Sequence, residues 1–497
     1  MAVNIPGLVA IIIFYLLILA TGIWASQKSK QEEKRCSGTK SEVAMVGGRN
    51  IGILVGIFTT TATWIGGGFI NGIAEITYLP HQGLSWSHAA LGYGFSLLFG
   101  ATMSVILNIE KYLSIILSAS VVIIYTLLGG LYSVAYTDVM QMVFIVISLW
   151  LCVPFAIMNP AVADIKYTMV NEFYQSPWIG KIEMNQIFRW IDDLLLMTMG
   201  DIPWQVYFQR VLAASSISQA RKTSYIAAIF CFTLSFPSII IGAVAVSTDW
   251  NQTSYGLPTP YERQESSMIL AIVLQYLCPV YIAVLGIGAI SAAVMSSADS
   301  SLLSASSMFA RNIYKIVIRK KAAEKEVIWI MRTSVVIFGA LAATLAVLTN
   351  SIYGLWLLSA ELVYAILFPQ LVCVLFIPST NIYGSAAGFL IGLTLRLLAG
   401  ESFLHIPPVI QYPGTSFVNG TYQQLFPFKT FTMLLSLLSI LIFSYISSFA
   451  FKRKLLPEKF DVFKITEKTR DLPSAPDEQI TLNDCRNRKP EPDKNKV

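Results

Sequence analysis

Three short stretches carry residue types that could hold a cation without making or breaking a covalent bond. TATWIGGGFING, Thr61 to Gly72, sets Trp64 beside Gly66, Gly67 and Gly68 inside a long apolar run. MGDIPWQVYFQR, Met199 to Arg210, sets Gly200, Asp201 and Pro203 beside a second tryptophan, Trp204. ISAAVMSSADSSLLSASSMFARN, Ile290 to Asn312, is rich in Ser and Ala, and helical spacing puts Ala293, Ser296 and Ser297 on one face. A hard monovalent cation wants several oxygens. Neutral carbonyls and hydroxyls supply them without burying net charge. The serine face could provide some, and backbone oxygens around Ala62 and Ile65 would complete the shell.

Those elements must position the site at a real energetic cost. Each glycine in a helix interior costs about 1 kcal/mol relative to alanine. Pro203 removes an amide and clashes with the preceding turn. In lipid, freed backbone groups are tolerated only against protein or lining a cavity. Gly66, Gly67 and Gly68 therefore read either as a helix break attached to a site or as a glycine-rich packing face. The second interruption, at Gly200 and Pro203, favours the break. Two interrupted spans with about four others between them suggest inverted repeats and a binding site where the breaks meet. For Ala293, Ser296 and Ser297 two readings stand: close helix packing or a sodium site. For Trp64 and Trp204 the alternatives are interfacial anchoring or core packing.

The composition supplies the setting. Of 497 residues, 55% are hydrophobic and 13% charged, against about 25% charged in a soluble domain. Mean hydropathy is +0.62. Runs of about 20 apolar residues recur along the chain, each long enough to span a bilayer. Candidate spans are 7–25, 51–79, 84–108, 112–130, 136–158, 188–208, 224–246, 268–308, 327–348, 354–377, 381–399 and 430–450. The first is read as a permanent span rather than a cleaved signal. From Lys452 onward the chain is charged and Pro-containing, as expected of a mostly disordered tail.

Charge distribution orients the spans. Six Lys/Arg fall between Ser26 and Asn50. Further clusters are Arg210/Arg221/Lys222, Arg311 to Lys321, and Lys452 to Lys454. Short basic loops face the cytoplasm, and every cluster abuts a span, which disfavours nucleic-acid binding. Sequons at Asn251 and Asn419 fall in loops expected outside. Parity holds between all the basic clusters except from Arg49 to Arg210, where 84–108 reads like the start of one helix joined to the end of another. The six cysteines have no metal or redox spacing and the three histidines form no constellation. No nucleophile–base pair argues for an enzyme. Asp138, Glu75 and Glu361 lie in or beside apolar runs, where ionisable groups are functional by default.

GGLYSVAYTDVMQ (129–141), FQRVLAASSISQA (208–220), GGRNIGILVGIFTTTATWIGGGFINGIAE, STDWNQTSYGLP and AAVMSSADSSLLSASSMFARNIY resemble the sodium/solute symporter family, and its choline-transporting members most. The resemblance covers about residues 5 to 465. It implies an all-α polytopic membrane protein with the five-plus-five inverted-repeat (LeuT-like) fold and peripheral helices. About 12 spans are expected here, against 13 in the family. It implies a symporter domain over 1–451, with repeats at about 50–158 and 186–378, and a cytoplasmic tail over 452–497.

The function implied is sodium- and chloride-dependent choline uptake at a plasma membrane, supplying acetylcholine synthesis in presynaptic terminals, with synaptic-vesicle membrane as a second location. Mapped onto this sequence, the sodium ligands are Ala62, Ile65, Ala293, Ser296 and Ser297. The choline pocket includes Trp64, Tyr93 and Trp204, and Asp138 has a coupling or gating role or sits in a structural ion pair. No local motif places the chloride. The choline, sodium and chloride act without any cofactor, and a homo-oligomer is allowed. A quaternary ammonium has no N–H to donate, so aromatic faces suit it. The sequence departs from the family pattern at Gly100/Ala101. There the rest of one helix, a basic loop and most of the next helix have no counterpart, and a further cage tryptophan is lost with them. Two alternatives follow: a non-transporting truncated variant that regulates or fails to replace the full-length transporter, or a symporter for another small organic solute.

Overall fold

The computed structural model describes residues 16–27, 45, 47, 51–80, 82–88, 111–348, 352–401, 406–418, 421–453, 455–457, 461 and 463. Tyr93, the Gly100/Ala101 junction and Asn419 lie outside the described residues, as does nearly all of the tail.

Helix α1 is Leu16–Gln27. Helices α2 (Ile53–Trp64) and α3 (Gly67–Tyr78) follow one another across a break. Ile65 (φ −83°, ψ 66°) and Gly66 (φ −83°, ψ 175°) leave the helical region, and the two helices are bent by 44°. Gly67 and Gly68 open α3 rather than lying in the break. Helix α4 runs from Lys111 to Ile157 with one non-helical residue, Gly130, at φ 55° and ψ −151°. That backbone conformation belongs to glycine. The spans expected at 112–130 and 136–158 thus meet at a single glycine.

Helices α5 (Ile187–Met199) and α6 (Gln205–Ala213) flank the second break, with Gly200 closing one and Trp204 opening the other. Helix α7 (Ile217–Val246) starts at Ser216, whose hydroxyl accepts the Gln219 amide at 3.2 Å and satisfies one of the orphan donors of a helix start. The run expected as one span at 268–308 is two helices, α8 (Ile269–Leu277) and α9 (Val280–Met308). Pro279 separates them, because it cannot donate to the preceding turn. Beyond Met308 the coil widens to i→i+5 bonding over Phe309–Ile318. Then come α10 (Glu324–Leu348), α11 (Ile352–Leu362), a second widened turn at Val363–Leu367, α12 (Phe368–Phe376), α13 (Ile382–Leu398) and α14 (Phe428–Lys452). A two-stranded antiparallel hairpin, β1 (Ser416–Val418) with β2 (Thr421–Gln423), precedes α14 and departs from an all-helical chain.

Among the described residues six helices are long and apolar enough to cross a membrane, or seven when α2 and α3 count as one broken span. Three shorter apolar helices, Leu16–Gln27, Ser266–Leu277 and Ile382–Leu398, add to them. The expected 12 counted hydropathy runs, which do not register the breaks that divide a run into shorter helices. Part of the expected 84–108 span also lies outside the described residues.

Helix α9 is central, lying along α4 and touching α2, α3, α6, α8 and α10. Helix α2 leans on α4 and α7, and α3 on α7. Away from this core α13 pairs with α14. A Cβ at Gly388 would overlap the Ile440 side chain of α14, so glycine lets the two backbones approach. Small residues at contacts are how helices associate where lipid removes the hydrophobic drive.

Candidate functional site

The break after α2 puts Trp64 and Ile65, both fully buried, in the core where α2, α3, α4, α7, α8 and α9 meet. Helix ends leave their last carbonyls without intrahelical amide partners. The Thr61 carbonyl is taken by the Ile65 amide at 2.8 Å. Continuation of the helix would have given Ala62 the Gly66 amide, and the turn to ψ 66° at Ile65 prevents this. Ala62 and Ala293 are both fully buried, and Thr63 lies 3.1 Å from Ser300, so the carbonyl end of α2 lies beside the serine-rich face of α9.

On that face Ser296 donates to Asp138 at 2.5 Å and Ser297 donates to the Ala293 carbonyl at 3.0 Å. A hydroxyl that donates its proton keeps its oxygen lone pairs for another partner. The Thr61 hydroxyl is buried without a protein hydrogen-bond partner. The donor set is therefore neutral oxygen from two elements, the chemistry a hard monovalent cation requires.

Asp138 is fully buried on the second half of α4. One carboxylate oxygen accepts from Ser296; the other accepts from Thr59 of α2 and faces the Arg210 guanidinium of α6 at 3.6 Å. Arg210 also donates to Ser300 at 2.5 Å and to Thr63 at 3.2 Å, and Thr63 and Ser300 lie 3.1 Å apart. Four helices are tied together by this cluster. Sequence reasoning named Asp138 and Ser296 for the site but counted Arg210 only in a basic loop cluster; it is instead buried in α6 with a partner far away in the chain. A cleft lined by Thr59, Thr60, Tyr207, Arg210, Gln219 and Thr223 opens beside it, between α2, α6 and the start of α7.

Aromatic rings from both breaks border the same core. Trp64 meets Tyr207 of α6 edge to face, with ring centroids 5.6 Å apart and an interplanar angle of 83°. Trp204 and Tyr207 both pack against the core that holds Trp64. Tyr207 was missed in the sequence. Its spacing of three from Trp204 on a helix was the available signal. Farther along, Trp250, Tyr255 and Tyr276 form a second aromatic series with centroid separations of 5.3 and 5.2 Å. Burial, then the Glu265 carboxylate that accepts from it, push the Tyr255 hydroxyl well above the usual phenol range.

Glu361 has two partners, Lys429 of α14 at 2.7 Å and Arg396 of α13. Lys429 also reaches Asp193 of α5 at 2.6 Å, and Arg396 pairs with Glu401. Glu75 is buried beside a cavity also lined by Tyr261 and Glu262. Asn251 is exposed in a short turn whose Asp249 side chain accepts its amide at 3.1 Å. Among the described residues no group of His, Cys, Asp and Glu could hold a metal ion.

A helical bundle divided by two breaks, with buried hydroxyls and a buried ion pair beside them, is the architecture of a secondary transporter. The sodium:solute symporter family model matches residues 95–392, and the chain belongs to that family. It is a multi-pass membrane transporter, not an enzyme. Its relatives include the high affinity choline transporter 1 of Homo sapiens, 48% identical over 516 residues, covering 93% of this chain and 89% of that one. The high-affinity choline transporter 1 of Torpedo marmorata is 49% identical over 518 residues, with the same two coverages. A solved structure of a Na+-coupled sialic acid symporter, substrate-bound and outward-open, shares the fold at a TM-score of 0.64 and 16% identity, covering 88% of this chain and 98% of that one.

Proposed function

We propose that this chain is a sodium-coupled choline transporter of the plasma membrane. The carrying observation is the meeting of Trp64 with Tyr207 at the first helix break, beside the oxygen-rich face of α9. Choline would lie against Trp64, Tyr207 and Trp204, with Tyr93 as a further wall. Ring quadrupoles attract a methylated ammonium that hydrogen bonds cannot grip. Sodium would take the Ala62 and Ile65 carbonyls, the Ala293 carbonyl and the Ser296 and Ser297 hydroxyls. Sodium binding there favours the outward-facing state, and both solutes leave inward as the bundle rocks around the site.

Several finer features belong to the same reading. They are the five-plus-five inverted repeat, a chloride requirement, supply of acetylcholine synthesis in nerve terminals, glycosylation at Asn251 and Asn419, and a cytoplasmic C-terminus. The basic clusters apart from the buried Arg210, which should face the cytoplasm, and the exposure of Asn251 support the orientation.

A second reading has its own observation. The alignment to the human relative, 516 residues, is longer than the whole chain of 497. The relatives therefore carry residues with no counterpart here, which we place at Gly100/Ala101. On this reading the chain folds but does not transport, and acts on the full-length transporter.

Radiolabelled choline uptake with surface labelling, in cells expressing this chain, separates the two. Uptake that disappears when sodium is replaced by N-methyl-D-glucamine supports transport, and replacement of chloride by gluconate tests the anion. Normal surface labelling without uptake, restored by inserting the missing segment, supports the second reading. Uptake indifferent to sodium refutes the coupling.

A further inference from the structure

We propose that Arg210 is a built-in cation that competes with the transported sodium ion for the Asp138–Ser296 pair, and so sets how readily that ion is released. The inference rests on the sodium site proposed above and deepens it.

The geometry carries the argument. Ser296 is the hinge between two charges: its oxygen belongs to the proposed sodium shell, while its proton is held by Asp138 at 2.5 Å. A carboxylate that takes the proton of a ligating group orients its lone pairs toward the ion and makes it a better donor. Asp138 thus acts on sodium through Ser296 as a positioning residue. The other Asp138 oxygen faces the Arg210 guanidinium at 3.6 Å. Whatever negative charge Arg210 neutralises is charge that Asp138 no longer offers to sodium.

Arg210 is held by three neutral anchors, one of them the Gln209 side-chain oxygen, which accepts from it at 3.2 Å. Its guanidinium donates to Ser300 at 2.5 Å and to Thr63 at 3.2 Å, away from Asp138. Thr63 lies on α2, next to Trp64, and Ser300 lies one turn beyond Ser296 on α9. The arginine therefore touches both walls of the proposed sodium site and the carboxylate behind it. Asp299, wholly buried beside Ser300, is within electrostatic reach of Arg210. A fixed cation at this place prevents the site from binding sodium too tightly to let it go. It sits on α6, beyond the second helix break, so movement of α6 would change its distance from Asp138.

The test uses the full chain in lipid nanodiscs, with thermal unfolding followed while sodium chloride replaces N-methyl-D-glucamine chloride at constant ionic strength. A ligand that binds the folded state raises Tm with its concentration, so the sodium midpoint is read without transport. Arg210→Gln is expected to lower that midpoint by about fiftyfold, the scale of removing one charge roughly 7 Å from the ion at an effective dielectric of about 20. Arg210→Lys keeps the charge and should stay within about threefold of the parent. Ser300→Ala removes the shortest of the anchors and loosens the guanidinium toward Asp138, so the midpoint should rise about threefold. If Arg210→Gln does not fold, Ser300→Ala decides. Unchanged midpoints in the folded variants, with a clear sodium response in the parent, overturn the role of Arg210 alone. A parent chain whose Tm ignores sodium refutes the sodium site itself, and this inference with it.

Discussion

Trp64 and Tyr207 meet edge to face at 5.6 Å, one from the last residue of α2 and the other from the first turn of α6. Each helix begins or ends at a break, so the contact joins the two interruptions of the bundle. If choline lies against these rings, loss of one face should weaken it through the cation–π term. Trp64→Leu is expected to raise the choline half-saturation by about thirtyfold, equivalent to about 2 kcal/mol for a desolvated ring. Trp64→Phe should recover part of this. Choline-dependent stabilisation of the purified chain, alongside uptake, measures it, and equal midpoints for the Leu and Phe variants would remove the cation–π argument.

Gly130 presents a conformational test. At φ 55° and ψ −151° it turns the path of α4 just before Asp138. A Cβ there is strained whatever the surrounding space, and residues forced into such regions cost about 1–3 kcal/mol. Gly130→Ala should therefore lower Tm in nanodiscs. It should also disturb the Asp138 end of the helix, seen as a weaker sodium response. Gly56→Ala is the comparison, since a Cβ there meets only ordinary contact with Thr223 and alanine suits a helix interior better than glycine.

The legible parts of this molecule were those written in local chemistry. Glycine next to glycine, and a proline following Gly200, interrupt helices for reasons contained in a few residues. Both interruptions lie within the stretches the sequence marked, the first at Ile65 and Gly66 rather than running on through Gly68. Trp64 and Trp204 were visible because each adjoins a break. The unreadable parts were pairings between distant elements. Nothing near Asp138 announces Arg210, and nothing near Glu361 announces Lys429 or Arg396. The break at Pro279 was hidden because a hydropathy run stays apolar across Cys278 and Pro279 while the amide is lost. Gly130 was hidden inside a signature read for its identity rather than its backbone. Membership of the sodium:solute symporter family was legible from several motifs together, since their order and spacing run along most of the chain.

The contact of α13 with α14 depends on backbone approach. Gly384, Gly388 and Gly392 form one stripe at spacing four, against Ser436, Ile440 and Ser444. Gly388→Leu should push the helices apart and lower Tm, with overpacking costing about 1–3 kcal/mol. Gly388→Ala should cost less. Because this pair lies outside the core that holds Trp64, the sodium midpoint of folded Gly388→Leu should equal that of the parent. A shifted midpoint would show that the peripheral helices bear on the site.

The buried charges around Lys429 make the largest stability prediction. Lys429 is buried between Asp193 at 2.6 Å and Glu361 at 2.7 Å, and its own backbone amide donates to Asp192 at 3.0 Å. Three helices, α5, α11 and α14, converge on this ammonium. Lys429→Met preserves the packing volume of the stem but withdraws the charge. Among the described residues Glu361 retains Arg396, whereas Asp193 retains Arg189 at 3.9 Å and the electrostatic influence of the His88 ring. A carboxylate left buried with so poor a partner is destabilising by about 3–5 kcal/mol. The exposed pair of Arg319 with Glu326, at the similar distance of 2.7 Å, should contribute no more than about 1 kcal/mol, because water screens it and its side chains lose entropy in pairing. Thermal unfolding of Lys429→Met and Arg319→Ala side by side tests whether burial rather than distance decides. Pairing Lys429→Met with Asp193→Asn should recover much of the loss, since the second change removes the stranded charge. If the double variant is no more stable than Lys429→Met alone, packing of the lysine stem rather than its charge holds α14 to the bundle.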